Sequence, residues 1–360
     1  MDGREHQLIG FQPRRVMFSD SDGLAEAFRN WGVEALQLSR AEGENWTVAA
    51  RLERLMFRAT SASGRYRVRG GLPAGGIILQ FDAGSDGPRH YGGLALDRGD
   101  VVVGFAGAQF DYVSPDHHRG MNFSLPEAVA AAALAQRAPG AEALMRSASL
   151  NVMSQCGPQV ARICTLGAEL FQLGSQPFGL QLTEHAYAGM VDALVSTLLM
   201  PWNRETATTF RVTHYQRLPI VRRVEEFMRS NLGEPVMLHD ICGVARASER
   251  AVEYAFRDVY GVGAKQYLKL LRLNQVRHEL KGPLADALTV KEIAQHCGFW
   301  HMGHFTTGYR QLFGETPQQT RGQQQEGPAL LEPVAPAPTA LDRFSGWPDL
   351  KSSRPGLFGK

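Results

Sequence analysis

The sequence predicts an α+β chain of more than one domain. A β-rich N-terminal region leads into helices, and an all-α C-terminal domain follows, built on two helix-turn-helix units joined by a linker helix. Three observations predict this. Short alternating segments between Gly/Pro turn clusters fill residues 1–125. Apolar spacing of helical period replaces them afterwards. Near the C-terminus, one pattern of two short helices and a tight turn occurs twice. At 360 residues the chain has room for two or three domains.

In residues 1–125 the segments Arg65–Arg69, Gly76–Phe81, Leu94–Leu96 and Asp100–Phe105 read as strands. Turn clusters at Gly70–Pro73, Gly84–Pro88 and Asp97–Asp100 separate them. Many short strands at close spacing predict an antiparallel sandwich or barrel. Residues 126–205 read as helical. Pro158 can open one helix and Thr183 can cap another. The second carries Tyr187, Met190, Val191, Leu194, Leu198 and Leu199 down one side, a stripe that suits packing or dimerisation. Residues 322–360 hold six prolines and a Gln323–Gln325 run, and are expected to be disordered.

The informative stretch is residues 218–321. Leu238, Ile241, Cys242 and Ala245 recur at helical spacing, and a break follows at Arg246-Ala247. Ser248 can cap a second helix, whose apolar stripe is Val252, Ala255, Phe256 and Val259. The pattern returns with Val290, Ile293, Ala294 and Cys297, a turn at Gly298, then Phe305, Tyr309, Leu312 and Phe313. Between the units, Ala264 to Lys281 forms a rod of about 27 Å at 1.5 Å per residue. With flanking offsets, that suits recognition helices about 34 Å apart on one face of a DNA duplex.

Recognition helices enter the major groove by their N-terminal halves, opposite the apolar stripe. The candidate DNA-binding residues are therefore Arg250, Glu253, Tyr254 and Arg257 in the first unit. In the second they are His301, Met302, Gly303, Thr306, Thr307 and Arg310. Arg250 can take guanine, Glu253 can accept from cytosine, and Met302 and Thr306 can touch a thymine methyl. Arg257 suits a phosphate. His304, beside Phe305, reads as a packing or capping histidine. Residues 219–322 carry 14 Lys/Arg against 11 Asp/Glu, and the remainder 24 against 25. The basic excess is in the right place, though small.

These residues resemble the AraC/XylS family of bacterial transcription regulators over Leu218 to Arg321. The likeness is carried by Ala255-Phe256-Arg257, Leu271-Arg272-Leu273, Ile293 to Phe299, and His304-Phe305 through Gln311 to Pro317. Within the family, Arg272 to Arg277 and Gly298 to Gly303 look most like ethanolamine-operon regulators. Arg246 departs from the family's usual turn glycine, and Ala264 from its common proline. The resemblance implies a bacterial DNA-binding activator, with double-stranded DNA and RNA polymerase as partners. It also implies a cupin-like N-terminal sensory domain for a small effector, and homodimer formation. Candidate effector residues are His90, Tyr91, Phe105, Phe110, Asp111 and Tyr112. Asp111 among aromatics suits a small amine or amino alcohol.

Two other readings stay open: an N-terminal domain that only dimerises, and a cupin-type metalloenzyme. Against the enzyme, His90 stands alone, and the adjacent His117 and His118 point to opposite faces of a strand. No hydrolase or phosphate-loop motif occurs. No metal or cofactor is expected. The four cysteines lack Cys-x-x-Cys spacing. The polar N-terminus is no secretory signal and no apolar run spans a bilayer, so a cytoplasmic protein without membrane contact is expected.

Overall fold

The computed structural model describes residues 9–11, 13–52, 55–73, 76–137, 150–154, 156–174, 180–198, 210–211, 217–322 and 332–333. Its strands are β1 (Ile9–Phe11), β2 (Arg14–Phe18), β3 (Glu34–Gln37), β4 (Asn45–Leu52), β5 (Leu55–Ala62), β6 (Tyr66–Gly71), β7 (Gly76–Asp82), β8 (Arg89–Tyr91), β9 (Leu94–Leu96), β10 (Val101–Phe105), β11 (Gln109–Val113), β12 (His118–Pro126), β13 (Leu150–Met153), β14 (Leu180–Leu182), β15 (Phe210–Arg211) and β16 (Glu332–Pro333). Its helices in the N-terminal part are α1 (Ser21–Ala27), α2 (Glu127–Arg137), α3 (Gly157–Gly174) and α4 (Glu184–Leu198). The C-terminal helices are α5 (Leu218–Ser230), α6 (Leu238–Ala245), α7 (Glu249–Tyr260), α8 (Ala264–Lys281), α9 (Leu284–Ala287), α10 (Val290–His296), α11 (Met302–Phe313) and α12 (Pro317–Gly322).

Besides a two-stranded pair of β1 with β14, the described strands form two antiparallel sheets. One has nine strands in the order β15-β13-β10-β7-β12-β5-β4-β2-β16, the other five in the order β3-β6-β11-β8-β9. Neither order closes on itself among the described residues, so of the expected sandwich or barrel the structure shows a sandwich and no closed barrel. Turn chemistry sets the hairpins. Asp82 Oδ1 accepts from the amides of Gly84 and Ser85, and Asp100 Oδ2 accepts from that of Asp97.

Period-two alternation divides the nine-stranded sheet into two faces. Phe57 and Ala59 of β5, Leu79 and Phe81 of β7, and Met121 and Phe123 of β12 point to one side. There they meet Val160, Ile163, Cys164, Leu170 and Phe171 of α3. Within residues 126–205 the described pieces are α2, β13, α3, β14 and α4, of which α3 packs on the large sheet and β13 pairs with β10. Thr183 caps α4 as its sequence suggests, with the amide of Ala186 donating to Oγ1 at 3.4 Å. The side chains of Tyr187, Met190, Val191, Leu194 and Leu198, and all of Leu199, lie outside the described residues. So does the expected disordered tail, apart from Gly322 at the end of α12 and β16, which pairs with β2.

The C-terminal helices share one apolar core through Val221, Val224, Ile241, Phe256, Leu271 and Phe305, all buried. Leu36, Leu38 and Val113 of the β-domain belong to the same cluster. The five-stranded sheet therefore lies between two partners. Its one face meets the nine-stranded sheet, and its other face meets the helical domain. No helix among the described residues is long and apolar enough to cross a membrane.

Candidate nucleic-acid interface and effector cavity

Each helix-turn-helix unit is assembled by local chemistry. In the first, α6 ends at Arg246, which takes the left-handed conformation at φ 51°. Ser248 then caps α7, its Oγ accepting from the amide of Ala251 at 3.3 Å. In the second, Thr289 and Glu292 form a reciprocal capping box at the start of α10. Gly298 makes the turn at φ 82°. A side chain there would also strike the carbonyl of Leu232, so glycine is required twice over. Gly261 and Gly314 end α7 and α11, both left-handed.

The candidate contact residues fall as follows. Arg250, Tyr254 and Arg257 are exposed on α7, and Tyr254 is stacked by Arg217 at 4.1 Å. Glu253 is half-buried, its carboxylate against Gly263 at the start of α8, where it complements that helix's positive end. That position competes with base contact. On the second unit His301, Gly303, Thr306, Thr307 and Arg310 are exposed. Met302 is half-buried against the helical core. His304, expected to pack or to cap, is exposed, with its ring 6.3 Å from that of His301. Sequence reasoning passed over Trp300, which is 61% exposed in the loop before α11. An exposed Trp next to a recognition helix is the signal that could have found it.

The β-domain holds the opposite ends of these helices. The Arg65 guanidinium lies against Gly261 at the end of α7. Arg40 lies beside Gly314 at the end of α11, and Gln37 Nε2 donates to the carbonyl of Leu312 at 3.2 Å. Both cations stand at the negative ends of helices. Asn274 of α8 takes part in four bonds. Its Oδ1 accepts from Ser21 Oγ and from the amide of Gln37, each at 3.0 Å. Its Nδ2 donates to the carbonyls of Gln37 and Leu270.

Two buried ion clusters complete the junction. Arg67 of β6 grips Asp111 through two bonds of 2.7 Å and also donates to Glu225 and to the Tyr267 hydroxyl. Its guanidinium carbon lies 4.4 Å from the centre of the Tyr260 ring. Burial pushes the Glu225 carboxyl up, but Arg67 and Arg229 outweigh it and hold it at about 2. Asp20 receives Arg277 and Lys281 in the second cluster. Burial again pushes upward, and Lys281 and Arg277 hold this carboxyl at about 2.

A small cavity of about 60 Å³, partly open to solvent, lies between the two sheets. Phe28, Trp31, Tyr66, Tyr91, Phe110 and Tyr112 supply its aromatic wall, and Thr60, Gln80, Ser114, His118 and Asn122 its polar positions. Of the candidate effector residues, Tyr91, Phe110 and Tyr112 line it. His90, Phe105 and Asp111 do not. Phe105 faces the α3 side of the large sheet. His90 sits near Arg65 and Asp258, on the side of the helical domain. Asp111 is buried with both oxygens committed to Arg67, which removes it as the holder of a cationic ligand. His118 is neutral, because burial pushes its imidazole down to about 4. Nδ1 of His118 lies within hydrogen-bond distance of the Tyr112 hydroxyl, at 3.0 Å, and of the Ser85 hydroxyl, at 3.2 Å.

The family described as "Helix-turn-helix domain" matches residues 241–323. The chain is 33% identical over 110 residues to the XylDLEGF operon transcriptional activator 3 of Pseudomonas putida, covering 31% of this chain and 33% of that protein. It is 31% identical over 117 residues to the HTH-type transcriptional regulator GbdR of Pseudomonas aeruginosa, covering 32% and 31%. The chain thus spans about a third of the length of these curated relatives. Among solved structures, a transcriptional regulator with an AraC-type DNA-binding domain from Chromobacterium violaceum is 31% identical. That match covers 30% of this chain and 96% of the other, with a TM-score of 0.28.

Proposed function

Starting from a helix-turn-helix domain of the AraC/XylS type at residues 241–323, we propose that the protein is a sequence-specific DNA-binding regulator of transcription whose N-terminal domain senses a small effector. One observation carries the reading. Both recognition helices are held by their C-terminal ends while their N-terminal halves stay exposed, with Arg250, Thr306 and Thr307 outward. That is the end a major groove receives. The bases are read by Arg250, Tyr254, Thr306 and Thr307, with Arg257, His301 and Arg310 on phosphates and Met302 and Gly303 allowing close approach. Glu253 positions α7 against α8.

Activation of a catabolic operon, contact with RNA polymerase and action as a homodimer extend the reading through the resemblance to XylS-type activators. Effector sensing belongs to the inter-sheet cavity. By linkage, effector and DNA change each other's affinity by one factor.

The test is selection of bound duplexes from a random pool by the full-length protein, at two salt concentrations. A bipartite site with half-elements about one helical turn apart supports the reading. Binding without sequence preference that disappears at moderate salt sinks it.

A further inference from the structure

The turns of the two helix-turn-helix units differ in length. Matching buried positions run from Ala245 to Val252 in the first unit, a step of seven, and from Cys297 to Phe305 in the second, a step of eight. The second turn therefore carries one residue more. Its backbone is held, because the amides of Gly298 and Phe299 donate to the carbonyls of Gln295 and Ala294, each at 2.9 Å. Trp300 follows at once. It is 61% exposed, and no large apolar side chain among the described residues is more so. Directly before an N-cap, an apolar side chain ordinarily folds back onto the fourth residue of the helix and staples the entry of the chain. For α11 the N-cap is His301, and that fourth residue is Phe305. Phe305 is already taken, since the ring of Phe299 lies 5.0 Å from its own. The longer turn thus hands the staple to Phe299 and leaves Trp300 outside. Tyr254 on α7 is exposed as well, but Arg217 stacks on its ring. No such cover lies on Trp300 among the described residues.

Gly303 points to the same surface. Three other glycines of the second unit have internal reasons. Gly298 and Gly314 take left-handed backbone, and a side chain on Gly308 would strike Lys269 of α8. Gly303, in the first turn of α11, is not left-handed, and a Cβ on it would meet nothing within 4 Å. Glycine weakens a helix relative to alanine, so nothing inside the free protein calls for it there. A bare first turn on an exposed face instead leaves room for a molecule arriving from outside. That face also exposes Thr306, Thr307 and Arg310. Its first turn offers a groove little reach of its own, and the large side chain beside it is Trp300.

We propose that Trp300 is a base-reading residue of the second unit. Its indole packs on the C5-methyl group of one thymine in the major groove, and Gly303 lets the DNA come close enough for that contact. Thymine alone among the four bases projects a methyl group into this groove, and apolar contact is how it is told from cytosine. The proposal rests on the DNA-binding reading above and adds a specificity-determining residue to it.

The test takes the full-length protein and the duplex selected from the random pool, and replaces each thymidine in turn by deoxyuridine, which removes only the methyl group. In the wild type, one replacement in the half-element of the second unit is expected to weaken binding about fourfold, the share of one buried methyl group. Trp300→Ala and Trp300→Gln should bind that pair of duplexes alike. Both variants should keep the wild-type preference in the other half-element, which shows that they are folded. Gly303→Ala should melt no lower than the wild type and yet bind the selected duplex severalfold more weakly. In the wild type, 5-iododeoxyuridine at the sensitive position should cross-link to Trp300 under ultraviolet light, a readout that needs no variant. If Trp300→Ala senses every deoxyuridine as the wild type does, or the cross-link falls on another residue, the base-reading role is overturned and the DNA-binding reading stands. A loss confined to transcription from a reporter would then mark Trp300 as a contact for another protein. Unchanged binding by Gly303→Ala overturns the part given to Gly303. If the wild type selects no preferred duplex, the DNA-binding reading falls and takes the proposal with it.

Discussion

Glu225, Asp20 and His118 are three buried groups whose protonation the fold opposes, and they set a pH profile in two windows. His118 is held at about 4 against an ordinary 6.5. The unfolded chain therefore takes up this proton first, so the stability it confers is complete above about 6.5 and is lost as pH falls toward 4. Its full share is about 3 kcal/mol. Glu225 and Asp20, held at about 2 by arginine and lysine partners, contribute above their ordinary carboxylate range and are lost as pH falls through about 2. Melting temperature should therefore decline from pH 6.5 to 4, then drop again below 4.5. His118→Gln should flatten the first decline and leave the second. Parallel melting curves for the two proteins would rule out His118 as the source. The thiols of Cys164 and Cys297, pushed by burial up to about 12, stay neutral throughout.

At the scale of elements, the two helix-turn-helix units solve one turn differently. Gly298 occupies the left-handed region freely, whereas Arg246 occupies it at a cost. Arg246→Gly is expected to raise stability by up to about 1 kcal/mol in chemical denaturation. A loss instead would mean that the arginine side chain holds the turn. On the next helix, Arg250→Ala should weaken binding to a selected site by about 1–3 kcal/mol and relax preference at one base pair. Uniform weakening across sequences would move Arg250 to a phosphate role. Both units were legible in the sequence almost to the residue, because caps, left-handed glycines and helical apolar stripes are local signals. Glu253 was not, because its turn toward Gly263 depends on how α8 packs beside α7.

For the whole molecule, the sequence disclosed a β-rich domain before a helical one, but not that the five-stranded sheet separates the cavity from the helical domain. Strand alternation is readable locally, while which sheet each face meets is a long-range matter. Tyr91, Phe110 and Tyr112 could be found as aromatics in strands. Arg58 could not, because only the fold stacks its buried guanidinium on Phe28 and Trp31. The junction predicts coupling through α8. Asn274→Ala removes bonds to Ser21 and to both polar groups of the Gln37 backbone. It should leave operator recognition intact and reduce the change in DNA affinity that a cavity ligand produces, read by operator titration with and without ligand. Undiminished coupling would place the route elsewhere. The alternation along β6 and β11 has a further consequence. Tyr66, Val68, Phe110 and Tyr112 line the cavity, while Arg67, Asp111 and Val113 on the same strands belong to the junction with the helical domain. Ligand preference and output are thus written on interleaved positions. Descendants of this chain can exchange one set while inheriting the other unchanged, and a biosensor engineer can randomise the cavity positions without redesigning the response.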